Sequence, residues 1–279
     1  MQIGAIVQAR TSSTRLPGKV LMELPYGSGV TVLQQVIRRL RRSKRLGDII
    51  VATTTDEADE EIVKLAEEEN VKWFRGSVND VLERYYAAAK KNGLDVIVRI
   101  TSDCPCIDSE VVDFLVSEHL KAGVDYSFND LPATYPRGLD AEVINFSALE
   151  RSYKEAKADF DREHVSSYIY RTNPGAFNIQ TVKAPADLTA PEIRVTIDTR
   201  KDYILLCMVF DYLYSGNKFF GAGDIIKLFH DKPWLSAVNE DVIPKKGFDS
   251  LQEEMEEAIR ILDLQGLKRA KEFLAKHLR

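Results

Sequence analysis

Three cations and four hydroxyls fall within one short segment near the start of the chain, Gln8-Ala9-Arg10-Thr11-Ser12-Ser13-Thr14-Arg15-Leu16-Pro17-Gly18-Lys19. The guanidinium forks of Arg10 and Arg15 can each pair two phosphate oxygens, and Lys19 adds a compact point charge. Main-chain N–H groups and hydroxyls between them complete a surface suited to a polyphosphate. The alternative is a solvated turn with scattered cations. Position favours the phosphate: the apolar run Ile3-Gly4-Ala5-Ile6-Val7 precedes the loop directly. The loop therefore leaves the end of a buried strand, where an α/β sheet opens its ligand crevice.

Two carboxylates occupy similar places. Asp103 follows Val98-Arg99-Ile100-Thr101-Ser102, and Asp198 follows Val195-Thr196-Ile197. An aspartate at the carboxyl end of a strand points into that crevice, where its hard oxygens can hold Mg²⁺ against a nucleotide phosphate. For Asp198, capping of the helix that opens near Arg200 explains the residue equally well. For Asp103 the next helix starts later, near Asp108 or Ser109, and capping explains it poorly. If both carboxylates converge on the cationic loop, the chemistry is displacement at a phosphate, with Mg²⁺ and Arg10, Arg15 and Lys19 neutralising the departing pyrophosphate.

Other chemistries lack their residues. The glycine spacing of a Walker loop or of a dinucleotide fingerprint is missing. No Ser-His-Asp or Cys-His arrangement stands out. Of His119, His164, His230 and His277, only His164, in Asp161-Arg162-Glu163-His164-Val165, has polar neighbours that suit a cleft. Cys104, Cys106 and Cys207 make neither a disulfide framework nor a zinc spacing, which points to a reducing cytoplasm.

Positioning such a site requires strands that deliver loops to one edge. Apolar strands over 48–53, 71–74 and 95–100 alternate with amphipathic helices over 32–40, 58–69, 78–92 and 111–121. This spacing predicts a three-layer, mainly parallel sheet. In the less regular second half, strands are expected over 141–146, 176–182 and 193–197, and helices over 147–157, 162–171 and 201–215. After Gly221 the chain reads as mostly helical, with apolar stripes through Leu251, Met255, Ala258, Ile259 and Leu262, and through Leu267, Ala270, Phe273 and Leu274. The basic run Arg38, Arg39, Arg41, Arg42, Lys44 and Arg45 reads as a solvated outer helix face, or else a contact for an acidic partner.

The chain has 279 residues, 44% of them hydrophobic and 29% charged, enough for a large α/β core. A net charge of −5 argues against a dedicated nucleic-acid binder. No apolar run approaches membrane-spanning length, and no secretory signal is expected.

Six motifs in order carry a resemblance: Thr14-Arg15-Leu16-Pro17-Gly18-Lys19, Ala52-Thr53-Thr54-Thr55-Asp56, residues 74–85, residues 98–105, Gly138-Leu139-Asp140-Ala141-Glu142-Val143 and Arg162-Glu163-His164-Val165. Over residues 2–215 the chain resembles the cytidylyltransferases that activate acidic sugars, above all the spore-coat polysaccharide biosynthesis protein F group. The resemblance implies a nucleotide-diphospho-sugar transferase (glycosyltransferase-A-like) fold over 1–215, with 216–279 a helical extension packed on the same domain or on a dimer partner. It implies CMP transfer from CTP to an acidic sugar hydroxyl, with Mg²⁺ as cofactor. Arg10, Arg15 and Lys19 would hold the triphosphate, Ala9, Arg75 and Asp80 would lie near cytosine and ribose, and Asp103 and Asp198 match the magnesium positions. Asp140, Glu142, Arg162, Glu163 and His164 fall where the acceptor is expected, or are buried structural ion pairs. Two alternatives stay open: a glycosyltransferase using a preformed nucleotide sugar, and a non-catalytic nucleotide-binding protein of a polysaccharide pathway.

Overall fold

A computed structural model describes residues 1–242 and 250–277. Two units separate by their internal contacts, Met1–Asp241 and Val242–Arg279. The first contains seven strands: β1 (Ile3–Gln8), β2 (Asp48–Thr54), β3 (Lys72–Gly76), β4 (Val96–Thr101), β5 (Tyr126–Phe128), β6 (Glu142–Asn145) and β7 (Ile179–Thr181). Their order across the sheet is β3-β2-β1-β4-β6-β5-β7. β1, β2, β3 and β4 pair in parallel; β6 is antiparallel to both β4 and β5, so it alone runs against the others.

Helices α1 (Val32–Leu40), α2 (Glu60–Glu68), α3 (Val81–Lys91), α4 (Ser109–Ala122) and α5 (Phe146–Glu155) cover the sheet. Alternation along β1 explains the layers. Ala5 and Val7 join a core with Leu33, Val36 and Ile37 of α1, Ile62 and Leu65 of α2 and Val112 and Leu115 of α4. Ile6 points the other way, into a core with Leu82 and Tyr85 of α3 and Leu149 of α5. Both faces of the central strand are buried, as a parallel sheet demands.

Three of these helices start where the sequence supplies a side-chain acceptor. Thr31 caps α1 in a capping box with Gln34, Asp80 caps α3, and Asp108 caps α4. α1 carries the chain from β1 to β2 on one side of β1, and α3 returns it to β4 on the other. The switch point lies between the carboxyl ends of β1 and β4, with the cationic loop on one flank and Asp103 on the other.

A third cluster joins the loop region to the rest of this unit. Leu16, Leu24, Cys106, Tyr135, Leu139, Val195 and Ile197 pack with α7 (Arg200–Leu213) and α8 (Ala222–Asp231), α6 being the short Asp159–His164. Phe220, Ile225 and Leu228 are buried in this core, so residues 216–241 pack within the first unit. The second unit contains α9 (Leu251–Leu264) and α10 (Lys268–His277). The helical expectation for 243–249 and 278–279 lies outside the described residues. No helix among the described residues is long and apolar enough to cross a membrane.

Three expectations change. Residues 193–197 join no sheet; Arg194 makes one isolated parallel bridge to Arg137 instead. Gly138 permits it, because a Cβ there would lie 2.6 Å from the Val195 carbonyl oxygen, and its φ is +107°. The helix over 162–171 breaks at Val165, whose φ is +61°, and a π turn follows over Tyr168–Thr172. Arg39, read as part of a solvated face, is 2% exposed. Its guanidinium lies 4.1 Å from the Phe220 ring and donates to the Phe220 carbonyl at 2.7 Å, fixing the segment before α8 against α1.

Arg39→Ala should therefore lower unfolding stability by about 2–3 kcal/mol through lost packing and cation–π contact. Arg42→Ala, on the exposed side, should stay within about 0.5 kcal/mol. Urea titration of the two variants checks the contrast; equal losses would mean that Arg39 supports nothing.

Candidate active site

The cationic loop closes on itself just beyond β1. The Thr11 carbonyl accepts from Ser13 N at 2.9 Å and from Gly18 N at 2.8 Å. Gly18, at φ +71°, makes the turn and delivers Lys19 into the protein at 8% exposure. Lys19 Nζ lies 2.8 Å from Asp103 Oδ2, 3.2 Å from Asp198 Oδ1 and 2.6 Å from the Ile197 carbonyl oxygen. Arg15 Nη2 meets Asp198 Oδ1 at 2.8 Å. Residues 84 and 179 positions from Lys19 thus converge on one ammonium group.

Backbone pairing brings the two aspartates together. Ile197 N donates to the Asp103 carbonyl at 2.9 Å, and Thr196 Oγ1 donates to the same oxygen at 3.1 Å. Neither aspartate is a helix cap. Thr199 caps α7 in a box with Asp202, which frees Asp198 to face the loop. Arg194, unnoticed in the sequence, holds Asp198 Oδ2 at 2.7 Å and Asp202 Oδ1 at 2.9 Å.

Charge balance follows from these contacts. Burial alone would raise the Asp198 pKa, but Lys19, Arg194 and Arg15 outweigh it and hold the carboxyl below its usual range. Burial likewise works against the Lys19 ammonium, and Asp103 and Asp198 more than restore it, raising its pKa. Asp103 and Asp198 supply two hard carboxylates, the donor type Mg²⁺ takes while keeping waters and substrate phosphates as further ligands. Among the described residues no group of three or more His, Cys, Asp or Glu forms a complete protein cage. The pair fits a metal shared with a bound phosphate, not a wholly protein-held ion.

A match to the cytidylyltransferase family covers residues 4–219, which hold all of the sheet but Ile3, the cationic loop and both aspartates. The chain belongs to the cytidylyltransferase family. It is a CTP-dependent nucleotidyltransferase. A cytidylyltransferase of Leptospira borgpetersenii has a similar structure, with TM-score 0.78 and 34% identity over 88% of this chain and 100% of that one. An uncharacterized protein of Methanocaldococcus jannaschii is 40% identical, covering 88% of this chain and 97% of its own length. The spore coat polysaccharide biosynthesis protein SpsF of Bacillus subtilis is 36% identical over 71% of this chain and 82% of its own.

Other candidate residues of this cytidylyltransferase sit around the same edge in separate groups. Arg10 is exposed where the loop begins, and Ala9 is buried, its N–H donating to the Ala52 carbonyl at 3.1 Å. Arg75, at the end of β3, donates to the carbonyls of Thr54 and Asp56 and pairs with Glu60, so its fork is occupied by protein. Asp80 uses both oxygens: one caps α3 and the other takes Arg162 Nε at 2.8 Å. The Arg162 guanidinium also lies 5.0 Å from the Tyr153 ring. Arg162, placed by resemblance near the acceptor, is thereby joined to a residue placed near the nucleotide.

Of the remaining acceptor candidates, Glu142 is 8% exposed, paired with Arg99 across β4–β6 and hydrogen-bonded by Tyr126 at 2.9 Å. Glu142 thus makes a buried ion pair of the kind the sequence offered beside acceptor binding. Asp140 is half-buried; burial drives its pKa up to about 6 despite the Gly138 N–H and the Arg137 charge, and Asp103 adds to the rise. Glu163 is exposed, and the His164 ring packs 4.3 Å from that of Phe160.

Proposed function

We propose that this cytidylyltransferase transfers CMP from CTP to a hydroxyl of an acidic sugar, releasing pyrophosphate, in the biosynthesis of a surface polysaccharide or glycoconjugate. One observation carries the nucleotide half of the reading: Lys19 and Arg15 meet Asp103 and Asp198 at the switch point of the sheet. The acceptor half is supported by the resemblance to enzymes that activate acidic sugars and by the similarity to a polysaccharide biosynthesis protein.

The work of the chain's own residues is electrostatic. Lys19 and Arg15, with Arg10 at the loop's entrance, would bind the β- and γ-phosphates and stabilise charge on the departing pyrophosphate. Asp103 and Asp198 would hold Mg²⁺, which when bound neutralises phosphate oxygens and favours in-line attack. No protein nucleophile is required.

A thermal-shift screen of nucleoside triphosphates and nucleotide sugars, with and without Mg²⁺, tests the reading. CTP with Mg²⁺ should raise the melting temperature more than ATP, GTP or UTP does, since a selective ligand stabilises the folded state by mass action. Stabilisation by a UDP- or GDP-sugar in preference to CTP would replace it with a glycosyltransferase.

A further inference from the structure

A carboxylate outside the converging charges grips the cationic loop from behind. Asp59 is fully buried at the start of α2. Its Oδ1 accepts from Thr11 N at 2.8 Å and from the Thr11 hydroxyl at 2.7 Å, and its Oδ2 accepts from Thr54 Oγ1 at 2.5 Å. Thr11 is also the residue on whose carbonyl the loop closes, through Ser13 and Gly18. One run of hydrogen bonds therefore leads from Asp59 through Thr11 to Gly18, the residue that precedes Lys19.

Placing a carboxylate here is costly unless it is well served, since buried charge is expensive without partners. Among the described residues no lysine, arginine or histidine makes an ion pair with Asp59. Burial would raise its pKa, but the donors from Thr54 and Thr11 outweigh that and hold it below the usual range, so the group stays ionised. Charge-assisted hydrogen bonds are about twice as strong as neutral ones. A neutral side chain could fill the same space; a carboxylate fixes Thr11 more firmly.

We infer that Asp59 is a positioning residue for the triphosphate: acting through Thr11, it holds the loop of Arg10, Arg15 and Lys19 in its binding shape before the nucleotide arrives. The inference rests on the CTP reading. A loop that must be ordered on binding weakens apparent affinity by the fraction of molecules not already in the competent shape. Loosening the Asp59 clasp should therefore weaken CTP binding, while the chemistry of the bound complex, which Asp59 does not touch, is left alone.

The test is calorimetric titration of CTP in Mg²⁺ at a temperature well below the melting point of every variant. Asp59→Asn should weaken CTP binding about tenfold, and Thr54→Val, which removes one donor, about threefold, with Thr54→Ser restoring the wild-type value. Should Asp59→Asn fail to fold, the Thr54 pair decides. A melting temperature lowered with CTP affinity unchanged would show that Asp59 is only structural, and would overturn the inference. Failure of the wild-type chain to bind CTP would remove the nucleotide reading itself and this inference with it.

Discussion

Lys19→Ala should reduce CTP-dependent pyrophosphate release about a hundred- to a thousand-fold while leaving a folded protein. The loss follows from removing one preorganised donor that faces the charge developing on the leaving group, worth about 3–4 kcal/mol in comparable sites. The variant should also lose part of its acid-dependent stability profile. In the wild type, the depressed Asp198 pKa contributes stability that is present above the ordinary carboxylate value of 3.8 and is lost as pH falls through the folded value. Without Lys19, one of the groups depressing that pKa is gone. Wild type and variant should thus differ most near neutrality and converge on acidification, as denaturant titrations between neutral and acidic pH would show. Near-normal pyrophosphate release by purified Lys19→Ala would refute its role.

Asp103→Ala should be at least as damaging to turnover, but its binding behaviour should separate metal from phosphate. Removing the carboxylate leaves Lys19 with Asp198 and the Ile197 carbonyl, so the loop keeps its cations and loses a repulsive neighbour for the triphosphate. CTP should bind the variant without Mg²⁺ at least as well as it binds the wild type, whereas the tightening caused by Mg²⁺ should largely vanish. Titration of CTP with and without the metal, alongside pyrophosphate release, measures both. Unchanged Mg²⁺ dependence would show that Asp103 holds no metal.

Much of this site could be read from residue order because strands β1 and β4 are short, apolar and followed at once by polar groups. Arg15, Lys19 and Asp103 lie in the segments that leave β1 and β4, whereas Asp198 drew notice by following residues 193–197, which have strand-like composition but join no sheet. What stayed hidden depends on partners distant in sequence. Asp59 lies in Asp56-Glu57-Ala58-Asp59-Glu60-Glu61, an acidic run that looks like any solvated helix start until Thr11 is packed against it. Arg39 has five basic neighbours within eight residues, and its contacts with the Phe220 and Phe210 rings distinguish it. Residues 193–197 have strand-like composition, yet they pair with Arg137 beside Gly138 and reach no sheet edge. β5 has only three residues, too few for alternation to register. In each case tertiary context overrides the local signal.

The long reach from Lys19 to Asp198 also bears on when the protein can begin to work. Synthesis runs from the amino end, so the first strand and its loop emerge early, while the partner aspartate follows 179 residues later. Until then Asp198 and Arg194 are both missing from the cluster. A chain still tethered to the ribosome with fewer than about two hundred residues exposed therefore lacks Asp198, and Lys19 then has only part of its charge cluster.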